Sequence, residues 1–236
     1  MNRYKALELD KFLCEYRGMD VCPVNGTDLR IEGLFDFTAK TIDHEEITGS
    51  FRIRIVVPAK FPQDLPVVDE LDGRIPRRGA YHINPDGSLC LGSRLRLLVT
   101  IARDPTLIGF AKNCLVPYLF AISRKILRGS DFAFGELAHG ASGEIADYMN
   151  LFGLETMDQV KRTIVYIGMK KRRANKLPCP CGCGRRLGIC RFNRRIRRFR
   201  QLADKTWFRE VALDLMRESA SRPFFGSAVR TVLSSV

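Results

Sequence analysis

Eight cysteines carry most of the reactive chemistry in this chain, and their spacing divides them into two groups. Four fall in Pro178-Cys179-Pro180-Cys181-Gly182-Cys183-Gly184-Arg185-Arg186-Leu187-Gly188-Ile189-Cys190. Thiolates are soft ligands, zinc takes four of them in a tetrahedron, and the interleaved glycines let near neighbours turn toward one ion. In a protein kept reduced, such crowding predicts a structural zinc site at Cys179, Cys181, Cys183 and Cys190. So small a unit has almost no core, so metal binding would supply much of its folding free energy. The other four cysteines are scattered. Cys114 lies on an apolar helical face and reads as core, and Cys14 and Cys22 have no chemical context. Cys90 ends the segment Tyr81-His82-Ile83-Asn84-Pro85-Asp86-Gly87-Ser88-Leu89-Cys90-Leu91-Gly92. Its Pro-Asp-Gly is a turn with a mechanism, because proline presets φ and glycine accepts a positive φ. A cysteine leaving such a turn is either a small buried residue or a nucleophile that attacks an acyl carbon.

The elements that must position these groups are partly legible. Residues 4–19 carry a mixed helical pattern through Leu7, Phe12, Leu13 and Tyr16. Strand texture follows over 29–37, and Phe51 to Val57 alternates apolar with polar, which predicts a half-buried strand ending at Pro58. Pro58, Pro62 and Pro66 then mark an extended linker or edge crossing, since proline cannot donate to a ladder. A helix is expected to begin at Asp104-Pro105, with Asp104 as N-cap and Pro105 at the first position, and to stop at Gly129, with Pro117 kinking its interior. A second helix spans about 142–152. Apolar steps of three or four residues from Ile196 to Leu215 predict a helical tail. Strands first and helices after define an α+β chain with an antiparallel sheet.

Charge is unevenly spread. The net charge is +13, yet residues 161–200 hold fifteen Lys/Arg and no Asp or Glu, leaving 24 basic against 26 acidic residues elsewhere. That segment is a candidate surface for nucleic acid or an acidic protein; Phe192 and Phe199 would allow base stacking, though aromatics at this spacing more often pack. No long apolar run and no apolar leader core occurs, so a cytoplasmic protein without membrane contact is expected.

The order Phe51–Pro58, Phe61-Pro62, Leu65-Pro66-Val67 and Gly87-Ser88-Leu89-Cys90-Leu91 resembles the ubiquitin-conjugating (UBC) fold. The bacterial branch of that family matches better, with a similar His-x-Asn-Pro-Asp-Gly-Ser-Leu-Cys-Leu-Gly. The resemblance covers residues 1–152 and implies a UBC-like antiparallel sheet flanked by helices, with Cys90 as the thioester-forming nucleophile. It implies an oxyanion donor near the cysteine, for which His82 is favoured and Asn84 is the alternative. It also places His139, in a Glu-x-x-His-Gly loop, beside the groove. The cysteine cluster resembles the SEC-C zinc motif, matching it at Cys179, Cys181 and Cys190. Arg191 stands where that motif has its fourth ligand, and Cys183 is the substitute. The resulting layout is a catalytic domain over 1–152, a basic connector over 153–176, a zinc knuckle over 177–193 and a basic helical tail over 194–236.

The function so implied is a transferase that carries a protein C-terminus on Cys90 and passes it to an amine. The chain has no Gly-x-Gly-x-x-Gly fingerprint, so it is expected to rely on a separate activating enzyme or to take a simpler acyl donor. The family resemblance further suggests antiphage defence of the CBASS kind, with a cGAS-like nucleotidyltransferase as the protein modified. The rival reading is a non-catalytic UBC-fold adaptor that binds protein or nucleic acid through its knuckle and basic tail.

Overall fold

A computed structural model describes residues 5, 7–23, 26–40, 45–129 and 141–220. The chain is α+β. Strands β1 (Met19–Cys22), β2 (Leu29–Lys40), β3 (Glu46–Val57) and β4 (Val67–Glu70) form an antiparallel meander in sequence order. The alternation in β3 has its expected result: Phe51, Ile53, Ile55 and Val57 are buried, while Arg52 points to solvent. Register pairs Ile31 with Ile55 and Phe35 with Phe51, so one face of the sheet is continuously apolar. Helix α1 (Leu9–Glu15) adds Phe12 to that face.

β1 follows α1 directly, so the opening element is a short helix and a strand rather than one helix over 4–19. Its pairing with β2 needs glycine at position 33. Gly33 has φ +155°, and a Cβ there would lie 2.0 Å from the Gly18 carbonyl oxygen. Gly33→Ala is expected to destabilise the protein by about 3 kcal/mol, through overpacking and a strained backbone. Urea unfolding checks this; an unchanged midpoint would mean that β1 can detach at no cost.

Helix α2 spans Arg94–Ile101. The next helical run differs from expectation at its start. Asp104 is not the cap; Thr106 is, its Oγ1 accepting from the Gly109 N–H at 2.9 Å and donating to Asp104 Oδ1 at 2.8 Å. The run comprises α3 (Leu107–Phe110), a π-helical stretch (Ala111–Leu115) and α4 (Val116–Arg128), closed by Gly129 at φ 61°. Pro117 falls in the first turn of α4, where its missing N–H costs least, and the π stretch precedes it. Buried residues of this run, among them Phe110, Leu119 and Ile122, complete the first core against the sheet.

A second core is built differently. Helices α5 (Ala141–Phe152), α6 (Met157–Gly168) and α9 (Lys205–Ala220) pack together, with the short α7 (Lys171–Ala174) and α8 (Phe192–Arg197) beside them. α6 opens with a capping box between Thr156 and Gln159. Cys179, Leu187, Phe192, Ile196 and Phe199 are buried in this same cluster. α2 straddles both cores: Leu95 and Leu98 belong to the second and Ile101 to the first. Lys60 pairs with Asp204 at 2.8 Å across them. No described helix is long and apolar enough to cross a membrane.

Candidate functional site

Cys90 is held by a hairpin whose turn is dictated locally. The Gly87 N–H donates to the Asn84 carbonyl at 2.9 Å, and the Asn84 N–H to the Ser88 carbonyl at 2.8 Å. Gly87 adopts φ 90°. This is a turn through Pro85-Asp86 closed by a glycine bulge, one of the favoured short hairpin connections. Asp86 Oδ1 accepts from the Ser88 N–H at 3.0 Å and hydroxyl at 2.7 Å, which holds the Asp86 carboxyl below its ordinary range. The Asn84 amide donates to Ser88 Oγ at 2.9 Å.

The hairpin is anchored on two sides. The Leu89 N–H donates to the Val68 carbonyl at 2.7 Å, docking it on the outer edge of β4. The Tyr118 hydroxyl, from α4, donates to the Tyr81 carbonyl at 3.0 Å. The Cys90 N–H donates to the His82 carbonyl at 2.8 Å, so these residues face each other across the hairpin. His82 has φ 52°, uncommon for a non-glycine residue and consistent with a constrained site. Below it, the buried Glu70 carboxylate accepts backbone N–H groups of Asp72 and Arg74 at 3.0 and 3.2 Å, fixing the loop that leads in.

Cys90 is half-buried and opens, with His82 and Asn84, into a cleft of about 830 Å³. That volume lies within the usual range for ligand pockets, roughly 300–1,000 Å³. The far side of the cleft is Arg94, Glu144 and Asp214. Arg94 donates to both Glu144 oxygens at 3.0 Å and to Asp214 Oδ2 at 2.7 Å. The Tyr148 hydroxyl meets Glu144 Oε1 at 2.5 Å. Burial alone would depress the Arg94 guanidinium, but Glu144 and then Asp214 more than offset it, so it stays charged. One turn further, the buried Asp147 carboxylate is held by Ser93 and by Arg96. The residues next to the cysteine are thus tied to α5 and α9, a network that sequence reading missed. His139 lies outside the described residues.

Burial pushes the Cys90 thiol up, the Gly92 N–H partly offsets it, and the Glu144 carboxylate raises it further. Burial and Glu144 both oppose the thiolate, which is the reactive form. Iodoacetamide labelling of Cys90 is therefore expected to keep accelerating above the ordinary thiol pKa of about 8.5. Peptide mass spectrometry across a pH series reads this directly; a plateau below about pH 8 would contradict it.

At the cysteine cluster, the Sγ atoms of Cys179, Cys181, Cys183 and Cys190 all lie within 4.8 Å of one another. Separations of 3.2 Å (Cys179–Cys181), 3.7 Å (Cys181–Cys190) and 3.6 Å (Cys183–Cys190) compare with about 3.8 Å for a tetrahedron of Zn–S bonds. The loop folds back through the Cys179 N–H to the Arg185 carbonyl at 2.7 Å, with Gly182 at φ 80° and Gly184 at φ 73°. Gln159 of α6 reaches the Cys181 carbonyl at 3.3 Å. Burial raises Cys179 and Cys181, whereas a hydrogen bond from the Arg185 N–H lowers the exposed Cys183 to about 7. Four thiols so placed fit one metal ion and are compatible with zinc.

Phe192 and Phe199, by contrast, are buried in the second core and cannot stack on bases. A scan against protein-family models finds no match to the chain, and a search of curated proteins finds none.

Proposed function

We propose that the chain is a UBC-like cysteine acyltransferase. The observation that carries this reading is the placement of Cys90: half-buried, at the exit of a doubly anchored hairpin, opening with His82 and Asn84 into one cleft. Support also comes from the meander of four antiparallel strands followed by helices, the arrangement that the motif resemblance implies.

In the proposed reaction the Cys90 thiol loses its proton and attacks the carbonyl carbon of an activated protein C-terminus. A carbon–sulfur bond forms and the activating enzyme's thiol departs with a proton. An amine then attacks the thioester, the carbon–sulfur bond breaks, and Cys90 is regenerated. Each step passes through an oxyanion, which needs a nearby donor. His82 faces Cys90 and is the favoured donor, while one Asn84 amide proton is already given to Ser88. A thiol held up by burial is a sluggish nucleophile at rest. The antiphage setting and the cGAS-like nucleotidyltransferase partner rest on the resemblance. The cysteine cluster is proposed to hold a structural zinc with Cys183 as fourth ligand.

The test is a trap. Cys90→Ser isolated with its partners should carry an oxyester adduct that survives thiol and is cleaved by base, where wild type carries a thiol-labile one. No adduct on either protein would overturn the assignment.

A further inference from the structure

The fifteen basic residues between 161 and 200 are not equivalent once their partners are known. Three arginines serve the fold. Arg195 donates to the Phe152 carbonyl at 2.8 Å and Arg198 to Leu151 at 3.4 Å, at the end of α5. Arg200 donates to the Tyr166 and Ile167 carbonyls at 2.8 and 3.2 Å, at the end of α6. Cations at helix C-termini satisfy orphan carbonyls and complement the dipole.

A second set makes no side-chain hydrogen bond to a carbonyl among the described residues. Lys171, Arg172 and Arg173 on α7, and Arg185, Arg186 and Arg194 on and beside the knuckle, are exposed. None of the six forms an ion pair among the described residues, whereas Arg54, Lys60, Arg94 and Arg96 all do. The two groups are brought together by backbone contacts and one side-chain hydrogen bond. The Gly188 N–H donates to the Asn175 carbonyl at 3.0 Å, the Leu187 N–H to Leu177 at 2.9 Å, and the Asn193 amide to Asn175 Oδ1 at 3.3 Å. The cysteine cluster and the loop after α7 therefore adjoin, and the surface they share has no acidic residue in its sequence span.

We propose that this face binds duplex nucleic acid through its phosphates, without reading sequence. Concentrated, unneutralised positive charge repels itself and costs stability, a cost that a dense polyanion removes. Five of the six named cations are arginine, whose fork matches phosphate oxygens. The nearby aromatics Phe192 and Phe199 are buried, so the stacking platforms that single-strand binders use are lacking there. A lipid surface would call for an apolar face beside the charge, and here Ile189 stands as a lone exposed aliphatic.

The experiment is fluorescence anisotropy of the full-length protein, zinc-loaded, with a labelled mixed-sequence DNA duplex. The expected result is binding that weakens with salt between about 50 and 200 mM, with a log–log slope of about −4 to −5 for four to six phosphate contacts. Arg172→Glu with Arg173→Glu should lower affinity about tenfold and flatten the slope by about two contacts. Arg185→Glu with Arg186→Glu should do the same. Should the latter fail to retain metal, the α7 pair still decides the matter, because it lies outside the cysteine loop. Arg52→Glu with Arg103→Glu makes an equal charge change on exposed residues of the first module and should leave affinity within about twofold. Cys90→Ala should bind as wild type, so failure here and failure of the transferase reading are separable. Equal weakening by the α7 and control pairs, tighter binding to single strand, binding only to phosphatidylserine vesicles, or no binding at low salt would each overturn the proposal.

Discussion

Stripping metal from the cysteine cluster is expected to unfold the second core while leaving the sheet intact. Cys179 and Leu187 are buried among Tyr148, Phe152, Val160, Ile164, Phe199 and Phe208, so the cysteine loop is part of that core's interior. Four-thiolate zinc binding is worth about 10–16 kcal/mol near neutral pH, against about 5–15 kcal/mol for the stability of a whole domain. Without it, four thiols must sit within 4.8 Å of one another with no ion to hold them. Cys181→Ser should lose the zinc measured in wild type and speed amide exchange in α6 and α9, while β2 and β3 stay protected. Cys183→Ser is the finer probe, because that residue is exposed and is the proposed fourth ligand. It should weaken metal affinity yet leave the fold formed when zinc is in excess. Unchanged zinc content in Cys181→Ser, or unchanged exchange in α6 and α9 after chelation, would remove the metal from the account.

The consequence reaches Cys90 through Arg94. Asp214 belongs to α9, and Arg94 begins the helix that follows the cysteine. Glu144 belongs to α5, so both carboxylates on Arg94 come from the second core, and its loss releases both and opens that side of the cleft.

The second large effect is expected at Cys90 itself. Cys90→Ala removes the sulfur that the proposed intermediate is built on, so transfer should fall to background. Cys114→Ala supplies the contrast. That thiol is buried on the helical run and pushed up to about 12 by burial, so its loss should change stability and not transfer. His82→Ala should lower transfer by about 10²- to 10³-fold, the usual effect of deleting one oxyanion donor. Asn84→Ala should cost less, because its amide is engaged with Ser88 Oγ. Single-turnover transfer rates on the four variants decide between these roles. A larger loss in Asn84→Ala than in His82→Ala would reverse the donor assignment.

What could be read from sequence was whatever local chemistry determines. The β3 alternation, the Pro85-Asp86-Gly87 turn before Cys90 and the crowding of four cysteines each depend on neighbours a few residues away. All three are found in the structure. The helix start was misplaced by two residues because Asp104 and Thr106 are both good caps. Only the folded geometry shows Thr106 Oγ1 on the Gly109 N–H and Asp104 accepting from Thr106. The cleft's far side was not legible at all. Arg94 meets Glu144 and Asp214 at separations of 50 and 120 residues, and nothing in the local pattern pairs them. In the basic segment Phe192 and Phe199 pack into the core, as aromatics at that spacing more often do, and three of the arginines cap helices, which the sequence did not show. Apolar periodicity marked α5 and the tail, while α6 falls in the stretch read as a basic connector, and which cluster these helices complete is a tertiary fact.

The central claim is that Cys90 carries an acyl group, and intact-mass analysis tests it most directly. The wild-type chain, isolated without reductant together with the products of its neighbouring genes, should show a species heavier by a partner protein less one water. Thiol treatment should release it, and peptide mapping should place it on Cys90. No thiol-releasable species, or the same species on Cys90→Ala, would contradict the account.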